Sequence, residues 1–383
     1  MSDPLKLLLD QDTTPESFRA FWPKTSKGGR GLVGKIRPWA WFGEIVRGCN
    51  LRCGFCATRT FKGGPGSPAF GEYEFMTEAT FRALLKVIKA VSPYTRLEIG
   101  NAGEPTLHPQ LPDFIRLARE TLPHIQMMVY TNGTTLMNGT RTYKQLFDAG
   151  LNILYVDVYH PIEEHIARVD QAGYPWVFEG KFKNEEDRPF VSPFTYRADK
   201  FPNFRMVHFH RHPGYWSQQR KHRHGFSTFY NHLDWRAAEK YGLTPVTEPA
   251  NRRCDFPLKF PVFEYTGRYV LCCWDFTGET AGWYGSVHDG VEGFFTYWFG
   301  LHLQRLRQFH FVKNRRAHPI CTRCATVGHR GDIPYWSPEM FNHFWTGHHW
   351  ERTPTAAFGI DGTQPTLTDA TGKVILHGSK LQL

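Results

Sequence analysis

At 383 residues the chain exceeds the usual size of a single core, and its 41% hydrophobic and 15% aromatic content excludes a disordered chain. Eight cysteines in so long a chain exclude a small disulfide-stapled secreted scaffold; they fall at 49/53/56, 254/272/273 and 321/324, the grouping of metal ligands. The formal net charge of +10 points to an anionic substrate or partner, against the plainer reading of a solvated basic surface.

Residues 1–40 read as an irregular lead-in, with a basic glycine break at Lys27-Gly28-Gly29-Arg30-Gly31. Met1-Ser2-Asp3-Pro4-Leu5-Lys6 carries an early acid and only a three-leucine run follows, which is not the pattern of a signal peptide. No stretch is long and apolar enough to span a membrane, and thiolates of this kind belong in a reducing cytoplasm. A strand-like run, Trp41–Val46, leads into Cys49, Cys53 and Cys56 at the spacing C-x3-C-x2-C. Three thiolates so close can wrap one face of a cubic iron–sulfur cluster, and the iron they leave open binds a small molecule. An open metal position signals catalysis. A zinc site is the competing reading, but zinc needs a fourth ligand and the nearest histidine, His108, is far along the chain.

A glycine-rich stretch, Gly63–Gly66, precedes a helix capped by Thr77, with Phe81, Leu84, Leu85 and Ile88 at helical spacing. The strand Arg96–Gly100 runs to Gly103-Glu104-Pro105, and a second helix from Pro112 buries Phe114, Leu117 and Ala118. Then come the strand Gln126–Tyr130, the loop Thr131-Asn132-Gly133, a helix around Tyr143–Phe147 and the strand Asn152–Val158, which carries Asp157. Strands alternating with helices predict an α/β fold with a parallel sheet, and ligands of such sheets bind at the carboxyl ends of strands, where every motif named here falls.

Further on the pattern weakens. Residues 175–200 read as a long loop or helical insertion over the sheet's mouth. His208, His210 and His212 alternate, so in a strand they share one face, as a polar sheet face or a lining for substrate or phosphate. From Phe201 to Tyr230 there is no acidic residue, while Arg205, Arg211, Arg220, Lys221 and Arg223 stand among histidines and aromatics. Cys254 and Cys272 flank a predicted hairpin, Val262–Tyr265 and Arg268–Leu271 about a Thr266-Gly267 turn, which brings them together; Cys321-Thr322-Arg323-Cys324 completes four thiolates. A structural zinc and an iron–sulfur cluster both fit four cysteines. The tail ends in a predicted hairpin at Asp369–His377.

The cysteine loop with Phe55 before its last cysteine, followed by Gly103-Glu104-Pro105 and Thr131-Asn132-Gly133, resembles the signature of radical S-adenosylmethionine (SAM) enzymes. Ala102 stands where many members carry a further glycine. The resemblance implies a partial (β/α)6 TIM-like barrel over 41–240. It implies a 4Fe-4S cluster on Cys49, Cys53 and Cys56, and SAM held by Phe55, Gly103, Glu104, Pro105, Asn132 and Asp157, the last standing where related enzymes place a polar residue near cofactor or substrate. Glu104 would accept from the cofactor's ammonium, and Asn132 would meet the ribose. The run Gly267–Asp275, with Gly285-Ser286, Trp298, Leu306-Arg307 and Cys321–Cys324, resembles the SPASM extension. It implies a small cysteine-rich domain over 250–335 with a second 4Fe-4S cluster on Cys254, Cys272, Cys321 and Cys324, Cys273 being the alternative to Cys272. Residues 336–383 form a tail.

The implied reaction is reductive cleavage of SAM to a 5′-deoxyadenosyl radical that takes hydrogen from a substrate, oxidising, epimerising or cross-linking a peptide or small metabolite. Modification of a nucleotide or nucleic-acid base is the alternative, carried by the basic aromatic segment. A non-enzymatic metal-binding protein is the remote one. Flavodoxin or ferredoxin is the electron donor the family leads one to expect.

Overall fold

The computed structural model describes residues 38, 40–51, 71–92, 96–159, 161–178, 181–183, 204–211, 256–273, 275, 280–282, 284–298, 303, 306, 321, 366–368 and 374–377. The predicted alternation is present from the first strand onward. Strand β1 (Ala40–Gly43) and the short β2 (Val46–Arg47) precede β3 (Glu74–Phe75) and helix α1 (Glu78–Val91). Next are β4 (Arg96–Ile99), a 3-10 turn at Pro105–Leu107, α2 (Leu111–Thr121) and β5 (Gln126–Thr131). They are followed by α3 (Thr134–Met137), α4 (Tyr143–Asp148), β6 (Ile153–Val158) and α5 (Ile162–Gln171).

The local chemistry explains these elements. Thr77 Oγ1 accepts from Thr80 N at 3.2 Å and caps α1, and Glu78 complements the helix dipole. The apolar stripe Phe81, Leu84, Leu85, Ile88 is buried, and Phe81 stacks on Phe114 of α2 at 4.3 Å. Thr142 and Gln145 form a reciprocal capping box on α4.

One sheet of nine strands organises the described residues, in the order β11-β10-β1-β4-β5-β6-β9-β7-β8. Here β7 is Trp176–Phe178, β8 Lys181–Phe182, β9 Met206–Arg211, β10 Val262–Phe263 and β11 Tyr269–Val270. From β10 to β7 all neighbours run parallel, and β11 and β8 are antiparallel margins. This is the open, mostly parallel α/β sheet expected of a partial barrel. Its helix-covered face carries Trp41, Leu97, Val129, Leu154, Val156 and Phe209, which join Phe81, Phe114 and Leu146 in one apolar core. The opposite face carries half-buried aromatic and polar groups: Phe42, Tyr130, Tyr155 and His208, with Tyr130, Tyr155 and His208 in register across β5, β6 and β9.

Two expectations are corrected. The run Trp41–Val46 is not one strand: it breaks at the buried Glu44, and β2 leaves the main sheet to pair with β3, Val46 opposite Phe75. Residues 176–178 are not a loop or helix but a strand beside β9, too short for periodicity to reveal; 184–200 lie outside the described residues. The predicted hairpin about Gly267, which has φ +85°, is present as β10 and β11, but β10 is hydrogen-bonded to β1, Phe42 opposite Val262. The hairpin is thus built onto the first strand. Helices α6 (Phe256–Lys259) and α7 (Gly290–Trp298) flank that hairpin in sequence, and Phe294 of α7 packs on Trp41 at 4.8 Å. In the tail, Thr366–Thr368 pairs antiparallel with Val374–His377, so the first strand lies before the predicted Asp369–His377. No helix among the described residues is long and apolar enough to cross a membrane.

Candidate active site

The first cysteine is fixed by two loops at the carboxyl ends of β4 and β5. Gly103 passes so close to β2 that a Cβ there would lie 1.8 Å from Val46 O and 2.9 Å from Gly48 O. Only glycine permits that approach. Glu104 N then donates to Gly48 O at 3.0 Å, so the Gly-Glu-Pro segment clamps the backbone immediately before Cys49.

The Glu104 carboxylate is buried, 2% exposed, and ties the two loops together. Its Oε1 accepts from Thr106 N at 3.0 Å, Thr106 Oγ1 at 2.5 Å and Thr131 Oγ1 at 2.7 Å; its Oε2 accepts from Asn132 N at 2.7 Å. Burial pushes the carboxyl's pKa up, against the pull of these donors. Pro105 opens the 3-10 turn that Glu104 caps, which fixes the turn through its preset φ.

Asn132 completes the junction. Its side chain donates to Asn50 Oδ1 at 2.8 Å and to Cys49 Sγ at 3.5 Å, and its own oxygen accepts from Thr134 N at 3.0 Å. Cys49 Sγ also accepts from Leu51 N at 3.4 Å. Two N–H donors aimed at one sulfur stabilise a thiolate, the form that ligates metal, so the donor set fits a cluster ligand. Cys53, Phe55 and Cys56 lie outside the described residues.

Asp157 is placed differently from Glu104 and Asn132. It stands near the carboxyl end of β6 with Oδ1 3.0 Å from Nδ1 of His210, its register partner on β9. His208 and His210 share a face, as their alternation predicts; His212 lies outside the described residues. Tyr155 packs against both, with centroids at 4.6 Å and 5.5 Å, and against Tyr130 at 4.9 Å. Burial, with His210 adding to it, pushes His208 down to about 4, so it is a neutral imidazole near pH 7. His108 bonds Met76 O at 2.9 Å and packs on Phe114, a structural histidine.

Of the second cysteine set, Cys272 follows β11 half-buried, and Cys273 and Cys321 are buried. Cys272 and Cys321 both act electrostatically on the buried Tyr284 hydroxyl and help push its pKa up, after burial itself and Tyr297. Cys254 and Cys324 lie outside the described residues.

Sequence reasoning missed one charged group beside the site. Glu44 pairs with Arg47, which also reaches Glu264 of the hairpin at 3.6 Å and lies over the Tyr265 ring at 5.4 Å. Two carboxylates share one guanidinium inside the protein, and burial pushes Glu44 up to about 7. The one signal was an acid inside an apolar run.

Residues 44–180 match the family model described as the Radical SAM superfamily. Over 113 residues the chain is 30% identical to a 7,8-dihydro-6-hydroxymethylpterin dimethyltransferase of Methanocaldococcus jannaschii, covering 30% of this chain and 21% of that protein. Over 115 residues it is 26% identical to a tungsten-containing aldehyde ferredoxin oxidoreductase cofactor-modifying protein of Pyrococcus furiosus, covering 29% and 28%. The chain therefore spans only about a fifth to a quarter of the length of these curated relatives. Among solved structures, BtrN in complex with AdoMet and 2-DOIA is 17% identical with a TM-score of 0.49, covering 78% of this chain and 97% of that one. SuiB of Streptococcus suis bound to precursor peptide SuiA is 12% identical with a TM-score of 0.34, covering 76% and 70%. Residues 44–180 of this chain therefore form a radical SAM domain.

Proposed function

We propose that this enzyme cleaves SAM reductively and uses the resulting radical to take hydrogen from a small polar metabolite or a peptide. The observation that carries the reading is the junction at the strand ends: one residue, Asn132, donates its backbone N–H to the Glu104 carboxylate and its side chain to the Cys49 sulfur. Cys49, Cys53 and Cys56 would hold a 4Fe-4S cluster. When bound, the cluster supplies the electron that splits the sulfonium of SAM and yields the 5′-deoxyadenosyl radical. Glu104, buried and hydrogen-bonded through both oxygens, would present Oε2 to the ammonium of SAM, a charge-assisted contact. Gly103 and Pro105 would act through the backbone they shape, and Phe55 would contact SAM.

The substrate side falls to the half-buried sheet face. Asp157 and His210, hydrogen-bonded to each other, offer a proton acceptor for a hydroxyl or ammonium, and Tyr155 and Tyr130 offer flat apolar surface beside it. A second cluster on Cys254, Cys272, Cys321 and Cys324 is part of the proposal, supported by the grouping of these four cysteines in the sequence. A low-potential donor such as flavodoxin or ferredoxin would supply the electron in the cytoplasm.

The test is anaerobic reconstitution followed by a 5′-deoxyadenosine assay against separate pools of polar metabolites, peptides and nucleotides. Acceleration by the metabolite or peptide pool is the expected result. Acceleration by the nucleotide pool alone would overturn the substrate assignment in favour of base or nucleotide modification.

A further inference from the structure

The side chain of Asn132 is more constrained than a ribose contact requires. It is 8% exposed. Thr134 N donates to one end of the amide at 3.0 Å, which identifies that end as the oxygen and turns the NH2 toward the cysteine loop. There the two amide hydrogens face two acceptors, Asn50 Oδ1 at 2.8 Å and Cys49 Sγ at 3.5 Å. The backbone of the same residue is held by Glu104 Oε2 at 2.7 Å, so the amide is anchored independently of the sulfur it meets. Asn50 Oδ1 in turn lies 3.7 Å from Cys49 Sγ.

We propose that Asn132 is a positioning residue that sets the reduction potential of the cluster through its N–H to Cys49, and that the Asn50 side-chain carbonyl, beside the same sulfur, opposes it. The inference rests on the proposed role of Cys49 as a cluster ligand. Reduction adds negative charge to the cluster and its sulfurs. A donor aimed at a ligand sulfur stabilises the more negative state more than the oxidised one, and so raises the potential. The amide does this from a buried position, where a dipole acts at low dielectric. The Asn50 carbonyl has the opposite sign: it puts a partial negative charge 3.7 Å from the sulfur. The two asparagines therefore make opposite predictions, which a scaffolding role for either does not.

The experiment is a redox titration of the anaerobically reconstituted protein, followed by EPR on the signal that added SAM perturbs, with iron and sulfide content determined on each sample. Asn132→Ala should move the midpoint to more negative potential and Asn50→Ala to more positive. Asn132→Ser, whose hydroxyl can still accept from Thr134 N while withdrawing the donor from the sulfur, should follow Asn132→Ala. Shifts of the same sign at positions 50 and 132, or no shift at either, overturn the proposal. Should both Asn132 variants fail to load iron, Asn50→Ala decides: a positive shift supports the proposal and an unchanged or negative one overturns it. A wild-type protein that takes up no cluster, or whose signal ignores SAM, contradicts the functional reading instead.

Discussion

Glu104 ties the loops at the carboxyl ends of β4 and β5 together, with Thr106, Thr131 and Asn132 all donating to it. Replacing it with Gln turns an amide NH2 toward a donor whichever way the side chain sits. Glu104→Gln should therefore destabilise the metal-free chain by about 1–3 kcal/mol, read by urea unfolding, and weaken SAM binding by the reconstituted protein. Unchanged unfolding would contradict the buried network. Asp157 and His210 belong to a different function. Asp157→Asn or His210→Gln should lower substrate-accelerated 5′-deoxyadenosine formation by roughly 100-fold while leaving the slow cleavage without substrate as it was. A parallel loss of both rates would move the pair to the cofactor side.

At this scale the sequence was informative about which residues matter and silent about their partners. Cys49, Gly103, Glu104, Pro105 and Asn132 stand out because their types and spacing are unusual. That Asn132 meets Cys49, or that Asp157 turns to His210, depends on strand register, which no local pattern carries.

Among the elements, the tightest fit is the passage of the Gly103 loop over β2. A methyl group at 103 would sit 1.8 Å from a backbone oxygen, and backbone yields less readily than a side chain. Gly103→Ala should lower stability by about 1–3 kcal/mol and reduce iron content per chain after reconstitution, because the displaced segment is the one that leads into Cys49. Full cluster loading would show that the loop has more freedom than its packing implies. The turn between β1 and β2 makes a pH prediction. Glu44 holds its proton up to about 7 in the fold, against 4.5 for an ordinary glutamate. Its contribution to stability is thus full below about 4.5 and lost as pH rises through about 7. Glu44→Gln should flatten the stability profile of the metal-free chain across that window; an unaltered slope would mean that the titration lies elsewhere.

The helices were legible because their caps and stripes are long-period signals: Thr77 with Phe81, Leu84 and Ile88 specifies α1 without help from the rest of the chain. Strands of two or three residues were not. Trp176–Phe178 has no period to read, and β2 was fused to β1 because Ile45 and Val46 continue the apolar run of β1.

On the scale of the whole molecule, the sheet joins the two cysteine regions. β1 leads toward Cys49 through β2, and its neighbour β10 leads through β11 to Cys272, while Arg47 bridges from one to Glu264 of the other. Alternating strands and helices foretold the parallel sheet, but not that the downstream hairpin would add to its edge, since that pairing spans more than two hundred residues of sequence. The central claim is that the first cysteine loop initiates the chemistry. Its most direct test is 5′-deoxyadenosine formation from SAM by the anaerobically reconstituted, dithionite-reduced protein. The account predicts formation by the wild type, none by Cys53→Ala and continued formation by Cys272→Ala. No formation by the wild type, or equal formation by Cys53→Ala, would contradict it.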